Sequence, residues 1–251
     1  MLQITTADGT AEAIVASAPG GGPGVLLFMD AFGLRPRIQQ IAERIAGWGY
    51  VVLAPNVFYR AGTVAEFTPP GDIATPEGMG AFFQTCVPRM GHLTTELAER
   101  DFSAYLDALR AVPGVRPGPI GTVGFCMGGR YAVRLSGALP DDVAACAALH
   151  TASLVGDEDD SPHLALATAR AQYLFANADN DAMMTPDNVK SLDQALQSAG
   201  LSGTNVIVPN AAHGYTMSDT AAWNADATEW AFGQLRDLFA RTLGSGCGTP
   251  D

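Results

Sequence analysis

Pro119-Ile120-Gly121-Thr122-Val123-Gly124-Phe125-Cys126-Met127-Gly128-Gly129-Arg130 is the stretch that decides how this chain is read. A β-branched, apolar run leads into Gly124-x-Cys126-x-Gly128, and a helix-compatible segment, Gly129 to Leu139, follows. Strand, sharp turn and helix in that order are the pattern of a nucleophile elbow, with a thiol where the usual form has a hydroxyl. A nucleophile held in a left-handed turn brings the residues two before and two after it close to its own backbone. Gly124 and Gly128 therefore cannot carry a Cβ there. The Met127 N–H, at the helix start, would point to where an oxyanion forms. Small residues around a buried cysteine also serve plain packing, so the motif has to be weighed with the rest of the chain.

Working outward, Gly24 to Met29 and Tyr50 to Ala54 are continuous apolar runs, as expected of strands covered on both faces. Between them Pro36 to Trp48 carries Ile38, Ile41, Ala42 and Ile45 on one face of a helix. Strand, helix and strand within about 35 residues make a parallel pair. Upstream, Leu2 to Thr6 and Ala11 to Ala16 alternate around Asp8-Gly9, a hairpin signal. Downstream come a helix from Thr94 to Val112, strands at Val143 to Leu149, Ala171 to Ala176 and Asn205 to Val208, and helices at Pro186 to Ala199 and about Ala221 to Leu243. The expectation is one α/β domain spanning 1–251, a mostly parallel sheet with helices on both faces and an N-terminal hairpin. Pro55 to Gly91 is read as an irregular, lid-like excursion with a short helix around Gly78 to Cys86. The tail from Gly244 to Asp251 is read as loose.

The composition excludes several classes. Of 251 residues 47% are apolar and 16% charged, a globular balance. The formal charge of −12 argues against nucleic acid or an anionic membrane as partner. No apolar run reaches 18 residues, and the N-terminus has no basic-then-apolar leader. Four cysteines without CxxC or zinc-type spacing fit a reduced, cytoplasmic compartment. No metal or cofactor is expected. Asp157 to Asp160 reads as a solvated loop, and no histidine pair has ligand spacing.

A thiol nucleophile needs a base, and the base an orienter. Only four histidines compete for the first role. His92 and His163 read as surface or capping residues. His150 ends a strand, at the edge where α/β sheets build sites, and is a candidate pocket residue. His213, in Asn210-Ala211-Ala212-His213-Gly214, follows the last strand. Asp179 and Asp181 both follow the strand before it, and either could orient the base or simply shape a turn. The chain order nucleophile, acid, base is that of α/β-hydrolases. Asp30 directly follows a buried strand, where an unpaired carboxylate is costly. Its expected partner is the Cys126 thiol, since Pro36 is too distant for capping. Ala31, next to it, is placed to give a second oxyanion N–H.

With these residues assembled the chain resembles the dienelactone hydrolase family of α/β-hydrolases over nearly its whole length. Met29-Asp30-Ala31-Phe32-Gly33 is similar to the family's acidic residue before Phe-Gly. Gly121 to Gly129 is similar to its Gly-x-Cys-x-Gly-Gly elbow, and Ala212-His213-Gly214 to its histidine loop. Asn180-Asp181 with Thr185-Pro186 is similar to its acid loop, which selects Asp181 over Asp179. The resemblance implies a cofactor-free hydrolysis of a small carboxylic ester or lactone through an acyl-cysteine. Cys126 is then nucleophile, His213 base and acid, Asp181 its orienter, Met127 and Ala31 the oxyanion donors, and Asp30 the carboxylate that holds the thiol.

Two departures stand out. The family's best-known members have Glu where this chain has Asp30, and Arg, which binds the substrate's carboxylate, where it has Met217. A less anionic substrate is therefore expected, unless Arg60 or Arg89 in the excursion supplies the missing cation. Two other uses of the same residues are thioester cleavage or acyl transfer, and, in a different class, a redox-sensing thiol.

Overall fold

The structure, a computed structural model, describes residues 1–69, 71–91 and 93–244, without the side chains of 85–90. Its strands are β1 (Leu2–Thr6), β2 (Gly9–Ser17), β3 (Gly24–Phe28), β4 (Val51–Pro55), β5 (Ile120–Phe125), β6 (Val143–Leu149), β7 (Gln172–Asn177) and β8 (Gly203–Ile207). They form one sheet in the order β1-β2-β4-β3-β5-β6-β7-β8. β1 pairs antiparallel with β2 and β2 with β4, and every later pairing is parallel. Every residue of β3, β4 and β5 is buried, which is why these segments are apolar without alternation.

The helices are α1 (Pro36–Ala46), α2 (Val64–Phe67), α3 (Pro76–Met90), α4 (Thr95–Arg110), α5 (Met127–Ala138), α6 (Pro186–Ser198) and α7 (Ala225–Leu243). They lie on both faces of the sheet. α1 and α7 meet where Arg44 sits over Phe232 and pairs with Glu229, and α4 meets α5 through Arg134 and Glu99. Among the described residues no helix is long and apolar enough to cross a membrane. The fold is thus the expected α/β-hydrolase sheet with its N-terminal hairpin.

The excursion after β4 differs from its expected irregularity. It holds α2 and the fifteen-residue α3. Thr63 caps α2 in a reciprocal box, accepting from the Glu66 N–H while the Glu66 carboxylate accepts from the Thr63 N–H at 2.7 Å. Phe82 of α3 is buried with its ring 4.6 Å from that of Phe32, so the helix is seated on the loop after β3. A 3-10 turn at Pro162–Ala167 was also not anticipated. Residues 245–251 of the supposed loose tail lie outside the described residues.

Candidate active site

Cys126 joins β5 to α5 with φ 51° and ψ −123°, a left-handed turn that a non-glycine residue enters at a cost of about 1–3 kcal/mol. Its N–H is tied to the Leu149 carbonyl at 3.2 Å. The flanking glycines permit the turn as expected. A Cβ on Gly124 would overlap the Gly128 carbonyl, and one on Gly128 would overlap the carbonyl oxygens of Phe28 and Met29. The first turn of α5 therefore sits directly on the end of β3. Because Phe28 is in register with Gly124, Ala31 and Met127 each lie three residues beyond a paired position. The two backbone N–H groups expected to face an oxyanion come from neighbouring strand ends.

The imidazole of His213 lies between the thiol and a carboxylate. Its Nε2 is 3.1 Å from Cys126 Sγ, and its Nδ1 is 2.6 Å from Asp181 Oδ2. The other oxygen of Asp181 accepts the Met183 N–H at 2.9 Å. Burial pushes the Asp181 carboxyl up, but the bonds from His213 and the Met183 N–H bring it below its ordinary value. Burial likewise lowers His213, yet its bonds to Asp181 and Cys126 prevail and lift it to about 10. Asp179, the competing candidate, turns elsewhere: it accepts the Asn210 N–H at 3.0 Å and donates its own N–H to Ala211. It shapes the histidine loop instead of meeting the histidine.

Asp30 corrects an expectation. Its two oxygens are held by the Arg35 guanidinium at 2.6 and 2.9 Å, and one also accepts the Phe32 N–H at 3.0 Å. Both side chains are buried, and Arg35 also binds Asp219 at 2.6 Å. The carboxylate thus meets its need for a partner with a cation five residues on, while the thiol bonds to His213. Burial would lower Arg35, but Asp30 and Asp219 raise it and keep it ionised.

Arg35 and Arg37 are functional neighbours that the sequence reading missed. Arg37 donates to the Thr216 carbonyl at 2.5 and 3.2 Å, so the start of α1 grips the histidine loop at both Thr216 and Asp219. The signal was two arginines flanking Pro36 at a helix start, where the helix dipole gives cations no support.

The three residues expected to line a substrate pocket do not do so. Arg60 is taken up by Asp8 and Asp101, tying the β1–β2 turn to α4. Met217 is 1% exposed. His150 is fully buried, its Nε2 2.7 Å from the Thr216 hydroxyl and its ring 5.6 Å from that of His213. It backs the His213 imidazole and has no surface to offer a substrate. His163 bonds Ser161 at 2.8 Å. His92 and the Arg89 side chain lie outside the described residues.

Comparison with known proteins bears on this geometry. The sequence model of the dienelactone hydrolase family matches residues 11–243. A protein of Synechocystis sp. provisionally named a carboxymethylenebutenolidase is 28% identical, over 90% of this chain and 89% of that one. A crystal structure from Klebsiella pneumoniae, provisionally assigned as a dienelactone hydrolase, superposes with a TM-score of 0.77 at 22% identity, covering 95% and 96% of the two chains. A dienelactone hydrolase-like promiscuous phosphotriesterase from metagenomic libraries gives a TM-score of 0.77 at 20% identity, covering 97% of each chain. At those identities the structures testify to the fold.

Proposed function

The chain belongs to the dienelactone hydrolase family of carboxylic ester hydrolases, and from that premise we propose that it cleaves a small ester or lactone through a Cys126–His213–Asp181 triad and an acyl-cysteine. The observation that carries this reading is the single imidazole bonded to a thiol on one nitrogen and to a buried carboxylate on the other. In the first step Cys126 Sγ forms a bond to the ester carbonyl carbon while the proton stays on His213 Nε2, where the raised imidazole, bonded to the sulfur and to Asp181, holds it. The carbonyl electrons move onto oxygen, where the Ala31 and Met127 N–H groups receive the charge. Asp181 holds the imidazole in the useful tautomer and stabilises its cation.

Collapse of this intermediate breaks the carbon–oxygen bond, and the leaving alkoxide takes the proton from His213. A water molecule, deprotonated by the same Nε2, then attacks the thioester and releases the acid and the thiol. Each proton and electron pair is carried by the chain's own groups, the ester and water. Asp30 has a different task from the expected one. Paired with Arg35 and bonded to the Phe32 N–H, it shapes the loop that presents Ala31.

The test is hydrolysis of p-nitrophenyl acetate by the wild type and by Cys126→Ala, with mass spectrometry of quenched reactions. Turnover lost in the variant, with an acetyl group trapped on Cys126 of the wild type, supports the triad. Full activity without the thiol overturns it.

A further inference from the structure

His150 is buried against the triad, yet it takes no proton in the steps described above. Its backbone stands level with the nucleophile. Phe125 and Leu149 are in register at the ends of β5 and β6, so Cys126 and His150 each lie one residue past the last paired position of neighbouring strands. Both are left-handed, at φ 51° and 39°, a conformation that non-glycine residues seldom enter and that collects at functional sites. The His150 N–H donates to the Ala176 carbonyl at 2.9 Å, which ties the turn to β7, the strand that leads to Asp181.

The side chain reaches His213 by two routes. Its ring stands edge-to-face with that of His213, 5.6 Å between centres and 70° between planes. Its Nε2 is 2.7 Å from Thr216 Oγ1, and the Thr216 carbonyl is gripped in turn by Arg37 of α1. Thr216 lies three residues after His213 in one loop, so α1, Thr216 and His150 form a brace for the imidazole. The bonds from His213 to Asp181 and Cys126 leave its ring free to roll about the line joining its two nitrogens. Among the described residues, His150 is the one aromatic ring packed against it, and it opposes that roll.

Packing alone does not account for an imidazole at this position. His150 Nδ1 is buried with no hydrogen-bond partner among the described residues, a cost that a phenylalanine of similar shape would avoid. Desolvation, and then the charge of His213, hold His150 well below its ordinary value, so a neutral ring stands beside an imidazolium. The titratable and charged groups around the two histidines are Cys126 from the elbow, Asp181 from the loop after β7, Tyr215 from the histidine loop and, on the Thr216 carbonyl, Arg37 from α1.

We propose that His150 is a positioning residue for the thiol chemistry: by ring contact and by its bond to Thr216 it holds the His213 imidazole in line between Asp181 and Cys126. The proposal rests on the triad reading above and adds the side chain that keeps both bonds of the base aligned. Without His150 those bonds slacken. The lift that they give His213 shrinks with them, and so does the rate.

The experiment follows the four histidines by nitrogen-15 NMR across pH and measures kcat and KM on p-nitrophenyl acetate. His150→Asn, which tolerates the left-handed turn but has no ring, should lower the His213 midpoint by about one pH unit, the worth of one hydrogen bond. Its kcat should fall about tenfold or more with KM within about twofold, a loss of alignment and not of binding. Thr216→Val should shift both readings the same way, and Thr216→Ser, which keeps the hydroxyl, should restore most of the loss. A kcat that falls with the His213 midpoint unmoved marks a merely structural role and overturns the proposal, as do wild-type values of both. If His150→Asn fails to fold, the Thr216 pair decides: a midpoint lowered by Val and restored by Ser supports the brace, and equal midpoints overturn it. The NMR arm needs no substrate, so it separates the two readings. Turnover that survives Cys126→Ala removes the triad, while a midpoint shift still seen in His150→Asn keeps the brace on the imidazole.

Discussion

Both carboxylate oxygens of Asp30 are held by Arg35, at 2.6 and 2.9 Å, in a pair that is almost wholly out of solvent. Breaking one side of such a pair leaves an uncompensated buried charge. Arg35→Met should therefore destabilise the protein by about 3–5 kcal/mol. Asp219→Asn, at a carboxylate 32% exposed, should cost under about 1 kcal/mol. Urea unfolding of the two variants checks the contrast, and equal losses would show that the pair is not the anchor of the loop.

The orienting carboxylate gives a sharper expectation for the chemistry. Asp181→Asn keeps the shape but presents an amide to His213 Nδ1, so the imidazole loses its tautomer bias and its counter-charge. The value of kcat should fall by a factor of about 10³–10⁴ with the fold intact. Steady-state kinetics alongside circular dichroism decide it, and a fall of only severalfold would remove Asp181 from the mechanism.

Gly128→Ala tests why the elbow has its glycines. A Cβ there meets two main-chain oxygens, of Phe28 and Met29, that no rotamer change can move. Overpacking against backbone should cost about 3 kcal/mol or more and push α5 away from β3. A variant with wild-type unfolding midpoint and turnover would contradict the contact.

The two packed histidines pull stability in opposite directions as pH changes. His213 is lifted from 6.5 to about 10, because its bonds to Asp181 and Cys126 outweigh burial. Its contribution is full below about pH 6.5 and is lost as pH rises toward 10. His150 is held well below 6.5, first by desolvation and then by the neighbouring His213 charge. Here the unfolded chain takes up a proton that the native state refuses, so stability falls as pH drops below about 6.5. His150→Asn should flatten the acid limb of an unfolding-midpoint profile, and His213→Gln the alkaline limb. Profiles parallel to wild type on those limbs would refute the assignments.

Much of this was legible in the chain, and the failures share a cause. Period and punctuation place the strands within a residue or two, because β3, β4 and β5 are buried on both faces and carry no polar residue but Thr122. The elbow was readable because its glycines answer a steric need that any sequence must meet. α3, read as a short helix around Gly78 to Cys86, runs from Pro76 through Pro88 to Met90, and Phe82 within it packs on Phe32. The Thr63–Glu66 spacing could have revealed α2. Partners were the harder matter. A buried carboxylate at position 30 demands a cation, but nothing in the spacing chose Arg35 over the thiol. The attachment of Arg60 to Asp8 and Asp101 joins residues 52 and 41 positions apart, which only the folded sheet brings together.

The strand order carries one more consequence. β8 is the outermost strand on its side, among the described residues paired within the sheet to β7 alone and half-exposed along most of its length, and the loop bearing His213 follows it. Rims fray before centres do. In mild denaturant the base should drift off the sulfur while the inner strands are still whole, so turnover will fade well ahead of any spectroscopic sign of melting. For this enzyme, catalysis is the earliest gauge of a loosening edge.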